Sequence, residues 1–281
     1  LGQVQTVKRG GSRFYVDPER PLVTVPGVTS VISMLPKPFL QYWTAKMAAE
    51  LAVDSLPIIA SMAERDRQGA VDYIKGAATR YTKTRANIGS DAHDMFERMI
   101  RGEYIGRVHP DMEPYRRGFA EFLAAVNPEL ISAEEVAWSD THQYAGSYDA
   151  VLRVWLLPDN TPDPTRKVGE PVDLMVDYKT SKATYPEVAL QLAAYSSADR
   201  MITADGSSHP MPEVHGAAVF HITPEGWVFK PIVIGEEVFR FFLALRTIFD
   251  WDRDASKSVI GKAIAESATA HIVTGTQRRA R

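Results

Sequence analysis

Asp149, Asp177 and Lys179 are of the types, and in the order, that could break a phosphate ester. Asp149 stands in Gly146-Ser147-Tyr148-Asp149-Ala150, and further along an apolar run ends in Asp177-Tyr178-Lys179. Gln191 and Tyr195 follow at i and i+4. Two carboxylates can hold one hard divalent cation, and oxygen ligands with retained waters suit Mg²⁺ or Mn²⁺. A lysine beside them can orient or deprotonate a metal-bound water, or offset charge growing on a phosphate. An amide and a phenol one helical turn apart face the same way. They can hold that lysine, a water or a phosphate.

Such side chains act together only if the elements beneath them converge. Residues 172–179 read as a strand. Alternation then puts Val172, Leu174, Val176 and Tyr178 on one face and Asp173, Met175, Asp177 and Lys179 on the other. Either the second face is a solvent-exposed edge carrying charge, or it is one wall of a site. Residues 132–138 and 144–157 alternate as two further strands joined by a polar turn, which sets Asp149 on a strand neighbouring Asp177. The Gly146-Ser147 pair before it permits close backbone approach. Residues 158–171 hold Pro158, Pro162, Pro164 and Pro171 and read as a loop at a hairpin tip. A helix is predicted over 186–201, a hairpin from 214–222 and 227–234, and a helix over 236–250.

The first half of the chain is different. Arg13–Val16 and Leu22–Val25 are β-prone. Thr29-Ser30 offers a helix N-cap, and from Pro38 to Arg101 the pattern is mostly helical, with Pro57 opening one helix. Ile88, Ala92, Phe96 and Met99 recur at helical spacing, giving an amphipathic helix over 88–101 closed by Gly102. This helix carries His93, either a structural histidine or a neutral imidazole completing a shell of carboxylates. Glu97, one turn on, is placed to pair with Arg101. Another helix is predicted at 112–126. Glu134 and Glu135 open the next strand; Glu135 could add an acid to the site, and surface charge is the other reading for both.

Composition sets the limits. The 281 residues are 45% hydrophobic and 24% charged, as in ordinary globular proteins. No run approaches the length of a membrane span, and the N-terminus has no signal-peptide core. The chain has no cysteine, which removes disulfides, thiolate metal sites and iron–sulfur clusters. Net charge is −3, but carboxylates that hold cations are offset locally, so distribution decides more. Lys75, Arg80, Lys83 and Arg85 fall in one acid-free stretch together with Tyr81, and Arg278, Arg279 and Arg281 end the chain. Both groups read either as phosphate contacts or as solvated charge.

The ordered set His93, Asp149, Asp177-Tyr178-Lys179 and Gln191-Leu192-Ala193-Ala194-Tyr195 resembles the PD-(D/E)XK nuclease superfamily. Within it the chain is similar to the RecB-like exonuclease branch, which includes phage and mitochondrial-type exonucleases and CRISPR-associated adaptation nucleases. Val28-Thr29-Ser30-Val31-Ile32, followed by Pro38-Phe39-Leu40-Gln41-Tyr42-Trp43, resembles that branch's entry segment. The likeness spans roughly residues 28 to 200. It implies an α/β fold with a restriction-endonuclease-like core, a mixed central sheet flanked by helices, preceded by an N-terminal helical arm. Residues 1–102 would be the strands and arm leading into the first core helix, and 103–281 the nuclease core, in one unit.

By the same resemblance, His93, Asp149, Asp177 and the Tyr178 carbonyl bind Mg²⁺ or Mn²⁺. Lys179 is the catalytic lysine, working with Asp149 and Asp177. Gln191 and Tyr195 support the site, and Tyr195 also touches nucleic acid with Lys75, Arg80, Lys83 and Arg85. Two departures stand out: the second acid is Asp where the superfamily often has Glu, and the cluster cysteines of the CRISPR-associated members are missing. The implied activity is a DNA exonuclease of recombination, repair or phage DNA processing. It would act on single-stranded or duplex ends, with a recombination or single-strand-binding protein as partner. An intracellular, cytoplasmic setting in a bacterium or phage-infected host is implied, with mitochondria as the other possibility. Two further readings are a catalytically silent nucleic-acid-binding module on the same fold and a hydrolase of small phosphates.

Overall fold

Three short strands open the chain in the computed structural model, which describes residues 4–265: Thr6–Arg9 (β1), Ser12–Val16 (β2) and Thr24–Pro26 (β3), paired antiparallel in that order. The basic tail at 278–281 lies outside the described residues. β1 adds a strand to the two predicted ones, across a Gly10-Gly11 turn in which both residues take positive φ, open to glycine without steric cost. Helix Val28–Ile32 (α1) is capped by Gly27 rather than by Thr29 or Ser30. The Ser30 hydroxyl instead accepts the Arg13 N–H of β2 at 3.0 Å. The helical arm comprises Phe39–Asp54 (α2), Leu56–Arg65 (α3), with Pro57 in its first turn, and Arg67–Lys75 (α4). The amphipathic helix expected at 88–101 is the second half of a longer one, Ala77–Ile100 (α5), which packs on α2 and α4.

After Glu113–Val126 (α6) come Glu129–Ala133 (β4), Val136–Ser139 (β5), Tyr144–Ser147 (β6), Ala150–Leu156 (β7) and Glu170–Lys179 (β8). Then follow Glu187–Ser196 (α7), Arg200–Ile202 (β9), Ser208–Pro210 (β10), Gly216–Thr223 (β11), Gly226–Ile232 (β12) and Glu236–Arg253 (α8). The helix predicted over 186–201 therefore stops early. Asp199 N–H bonds the Trp138 carbonyl, and Arg200 is drawn into β9 beside β5, its guanidinium reaching Asp17 and Asp140.

The two strands predicted at 132–138 and 144–157 are each broken in the middle, because the hairpin they form passes from one sheet to another. Its inner ends, β5 and β6, belong to a four-stranded sheet ordered β10-β9-β5-β6. Its outer ends, β4 and β7, belong to a five-stranded sheet ordered β12-β11-β8-β7-β4, in which only β8 and β11 are parallel. Val136 pairs with Ser147 on one side of the break and Ala133 with Ala150 on the other, so Glu134 is carried opposite Asp149. Glu134 makes the bend with a left-handed φ of 56°, and its N–H bonds the Asp149 carbonyl at 3.1 Å.

Helices cover both faces of the five-stranded sheet, a mixed α/β arrangement. On one face α5 and α6 pack Phe96, Phe119 and Phe122 against Val176, Tyr178 and Phe220. Phe96 and Phe119 stack at 4.4 Å, and burying each such ring stabilises the fold by roughly 1.5–3 kcal/mol. On the other face α1, α7 and α8 cover Val151, Met175 and Val219. Since β8 is the middle strand, the exposed-edge reading of Asp177 does not hold: Asp177 is 2% exposed. The parity reading does hold, with the Tyr178 ring in the core on the α5–α6 side.

Candidate active site

Three elements bring polar groups to the carboxyl end of β8. The bent hairpin supplies Asp149 at the change of sheet, where the strand lets go of one partner and its side chain turns to the next. Asp149 Oδ2 accepts the Tyr178 N–H of β8 at 2.6 Å. Helix α5 supplies His93: Nδ1 lies 3.3 Å from Asp149 Oδ1, and Nε2 lies 2.9 Å from the Tyr178 carbonyl. A carbonyl only accepts, so Nε2 carries a proton. One residue on, Lys179 Nζ sits 2.7 Å and 2.6 Å from the two Asp177 oxygens. Of the residues singled out in the sequence, His93, Asp149 and the Tyr178 carbonyl thus meet at one point, with Asp177 and Lys179 alongside as an ion pair.

Glu134, which the sequence presents as surface charge, joins them. Ligand atoms of His93, Glu134 and Asp149 all lie within 4.8 Å of one another. One ion with bonds of about 2.1–2.5 Å can span that distance. Two carboxylates, an imidazole and a nearby carbonyl form a mainly oxygen donor set suited to Mg²⁺ or Mn²⁺. The absence of cysteine rules out an iron–sulfur cluster. The signal for Glu134 is the hairpin register, which sets it across from Asp149. Glu135 lies beside it in the same cleft.

The charges are strongly linked. Burial opposes a charged His93 ring, but Asp149 above all, then Asp177 and Glu134, push its pKa up to about 9. Burial likewise opposes the Asp149 charge, yet His93, Lys179 and the Tyr178 N–H hold its pKa below the usual carboxylate value. Glu134 goes the other way: burial and the Asp149 charge raise it to about 7. Burial raises Asp177 to about 6, with Lys179 opposing and Asp149 reinforcing. The His93 ring thus lies against Asp149 and the Tyr178 carbonyl, acceptors that a cation would also satisfy.

Gln191 and Tyr195 of α7 form the wall behind. The Gln191 amide donates to the Tyr195 hydroxyl at 3.2 Å, and Tyr195 is 2% exposed. A Cβ on Gly146 would come within 2.7 Å of the Tyr195 ring, which is why glycine precedes Ser147. Burial takes Tyr195 out of reach of a strand at the surface. The four basic residues of the arm divide. Arg80 donates to the Tyr73 carbonyl at 2.6 Å and lies over the Tyr73 ring, closing α4. Arg85 reaches the Thr180 carbonyl at 3.4 Å, next to Lys179. Lys75 and Lys83 are exposed. Glu97 pairs with Arg101 at 2.9 Å.

A cleft of about 670 Å³ opens beside His93 and Glu134. One wall is α5, with Ser90, Asp94 and Glu97; the facing wall is the β1–β2 hairpin, with Thr6, Arg13 and Tyr15. Among the described residues no helix is long and apolar enough to cross a membrane. Comparison of the chain with protein-family models and with curated proteins finds no match.

Proposed function

We propose that this chain is a Mg²⁺- or Mn²⁺-dependent deoxyribonuclease with a PD-(D/E)XK core of the RecB-like kind, working as an exonuclease on DNA ends. The observation that carries the reading is the meeting of His93, Asp149 and the Tyr178 carbonyl, from three separate elements, beside the Asp177–Lys179 pair. In this reading His93, Glu134, Asp149 and the Tyr178 carbonyl hold the cation, with Asp177 beside them. A cation held there lowers the pKa of a bound water and offsets charge on the phosphate.

The chain's own residues do the rest. The Lys179 ammonium, anchored by Asp177 and 31% exposed, is placed to hold the attacking water and to stabilise a phosphate oxygen as its charge grows. Asp149 fixes the end of β8 through the Tyr178 N–H and fixes the His93 ring. Gln191 and Tyr195 keep the wall behind rigid. Arg85, held at Thr180, would meet the phosphate next to the scissile one, and Lys75 and Lys83 extend that path along the arm.

The test is a time course on end-labelled linear single-stranded, linear duplex and closed circular DNA with Mg²⁺, Mn²⁺ or chelator. Expected are shortening of linear DNA from its ends with either metal, none with chelator, and resistant circles. Binding without cleavage in both metals would establish the silent module instead. Turnover of a small phosphodiester with no effect on DNA would establish the small-phosphate hydrolase.

A further inference from the structure

Among the described residues, two cations of the N-terminal hairpin stand without a carboxylate partner. Lys8 on β1 pairs directly with Arg13 on β2, and Thr6 pairs with Tyr15, so all four side chains share one face. Thr6, Arg13 and Tyr15 of that face line the cleft above His93 and Glu134. Like charges directly opposite each other on neighbouring strands destabilise the pair. Among the described residues neither Lys8 nor Arg13 has a carboxylate partner, although the cleft is rich in acids. Several arginines elsewhere are engaged, Arg9 with Thr24, Arg101 with Glu97, and Arg200 with Asp17 and Asp140.

The hairpin is also fixed in place relative to the site. Arg13 N–H donates to the Ser30 hydroxyl at 3.0 Å, and its carbonyl accepts the Gly27 N–H at 2.8 Å, tying β2 to the start of α1. The Tyr15 hydroxyl accepts the Ser147 N–H at 3.2 Å, two residues before Asp149. A strand bolted to the Asp149 segment thus holds an uncompensated cation pair, its Arg13 facing the cleft. We propose that Lys8 and Arg13 are a phosphate-binding wall that grips the nucleic-acid backbone across the cleft from α5. The scissile phosphate would then lie between this wall and Arg85. This rests on the nuclease reading and deepens it.

The test compares wild type with the doubly substituted Lys8→Gln/Arg13→Gln chain. Binding of a labelled thymidine oligonucleotide is followed by anisotropy in Ca²⁺ over a range of salt, and cleavage in Mn²⁺. Losing two single-strand phosphate contacts should weaken binding roughly tenfold and flatten the slope of log K against log[salt] by ~1.4. KM for the oligonucleotide should rise with kcat unchanged, and hydrolysis of bis(p-nitrophenyl) phosphate should stay at the wild-type rate. The melting temperature should hold or rise, because the like-charge pair is gone. Unchanged affinity and salt slope would overturn the proposal, as would a loss of small-ester turnover together with a lower melting temperature. If wild type itself neither binds nor cuts the oligonucleotide, the nuclease reading is what fails.

Discussion

Replacing Lys179 by alanine should lower kcat for DNA cleavage by about 10³-fold, the loss typical of a transition-state proton donor or charge stabiliser. Metal binding should persist, because the ammonium contacts Asp177 and acts on Asp149 only through its charge. The alanine variant also leaves the Asp177 carboxylate, 2% exposed, without its cation. Leaving a buried charge unpaired is costly, and Asp177, already raised to about 6, would rise further and take up a proton at neutral pH. Some thermal stability is lost on that account. Lys179→Arg separates the two effects: it keeps a cation against Asp177 and so keeps the fold, but its planar fork cannot put a compact ammonium at the same point. Single-turnover rates, manganese binding and melting curves of both variants check this. A Lys179→Arg chain that folds, binds metal and cleaves at the wild-type rate would remove Lys179 from the chemistry.

Asp149→Asn should abolish cleavage through the metal. Loss of a partner behind a metal ligand already costs 10- to 100-fold in affinity, so loss of the charge on a ligand itself should cost on the order of 100-fold or more. The asparagine Oδ1 can still accept the Tyr178 N–H, so the end of β8 stays in place. The effect on the metal-free protein depends on pH. His93 has its folded-state pKa raised from 6.5 to about 9, chiefly by Asp149. The stability this supplies is fully present below pH 6.5 and is lost as pH rises through about 9. Asp149's own lowered pKa supplies stability that is present above about 4 and lost in acid. The wild type should therefore melt above Asp149→Asn by on the order of 5 °C near pH 5–6.5, with the gap closing toward pH 9 and in strong acid. Calorimetry across pH with chelator, and manganese titration of both proteins, measure the two parts. A gap independent of pH would separate His93 from Asp149.

Much of the site can be read from the chain because strand parity and helix spacing are local. Alternation along residues 172–179 put the Tyr178 ring in the core and Asp177 with Lys179 on the opposite face, as the structure has them. The i, i+4 spacing of Gln191 and Tyr195 is realised as a hydrogen bond. The features missed depend on tertiary context. Glu134 reaches the cluster through a left-handed bend where a hairpin changes sheets, and a run such as Ala133-Glu134-Glu135-Val136 looks like continuous strand. Residues 197–202 leave the helical pattern because β5 offers an edge and Asp17 and Asp140 offer charge to Arg200. In the sequence Asp177 can pass for an exposed charge, because only the strand order places β8 between β7 and β11. The cleft-facing side of the N-terminal hairpin rests on β1, whose few residues signal too little alternation to be recognised.

Soaking crystals of the wild-type protein in Mn²⁺ and recording anomalous diffraction would locate the cation. The cation site proposed above requires a manganese peak at the end of β8, within coordination distance of His93, Glu134, Asp149 and the Tyr178 carbonyl, with the His93 ring freed from its hydrogen bond to that carbonyl. A manganese peak elsewhere, or no peak at these residues at millimolar Mn²⁺ in crystals whose protein cleaves DNA in the same buffer, would contradict it.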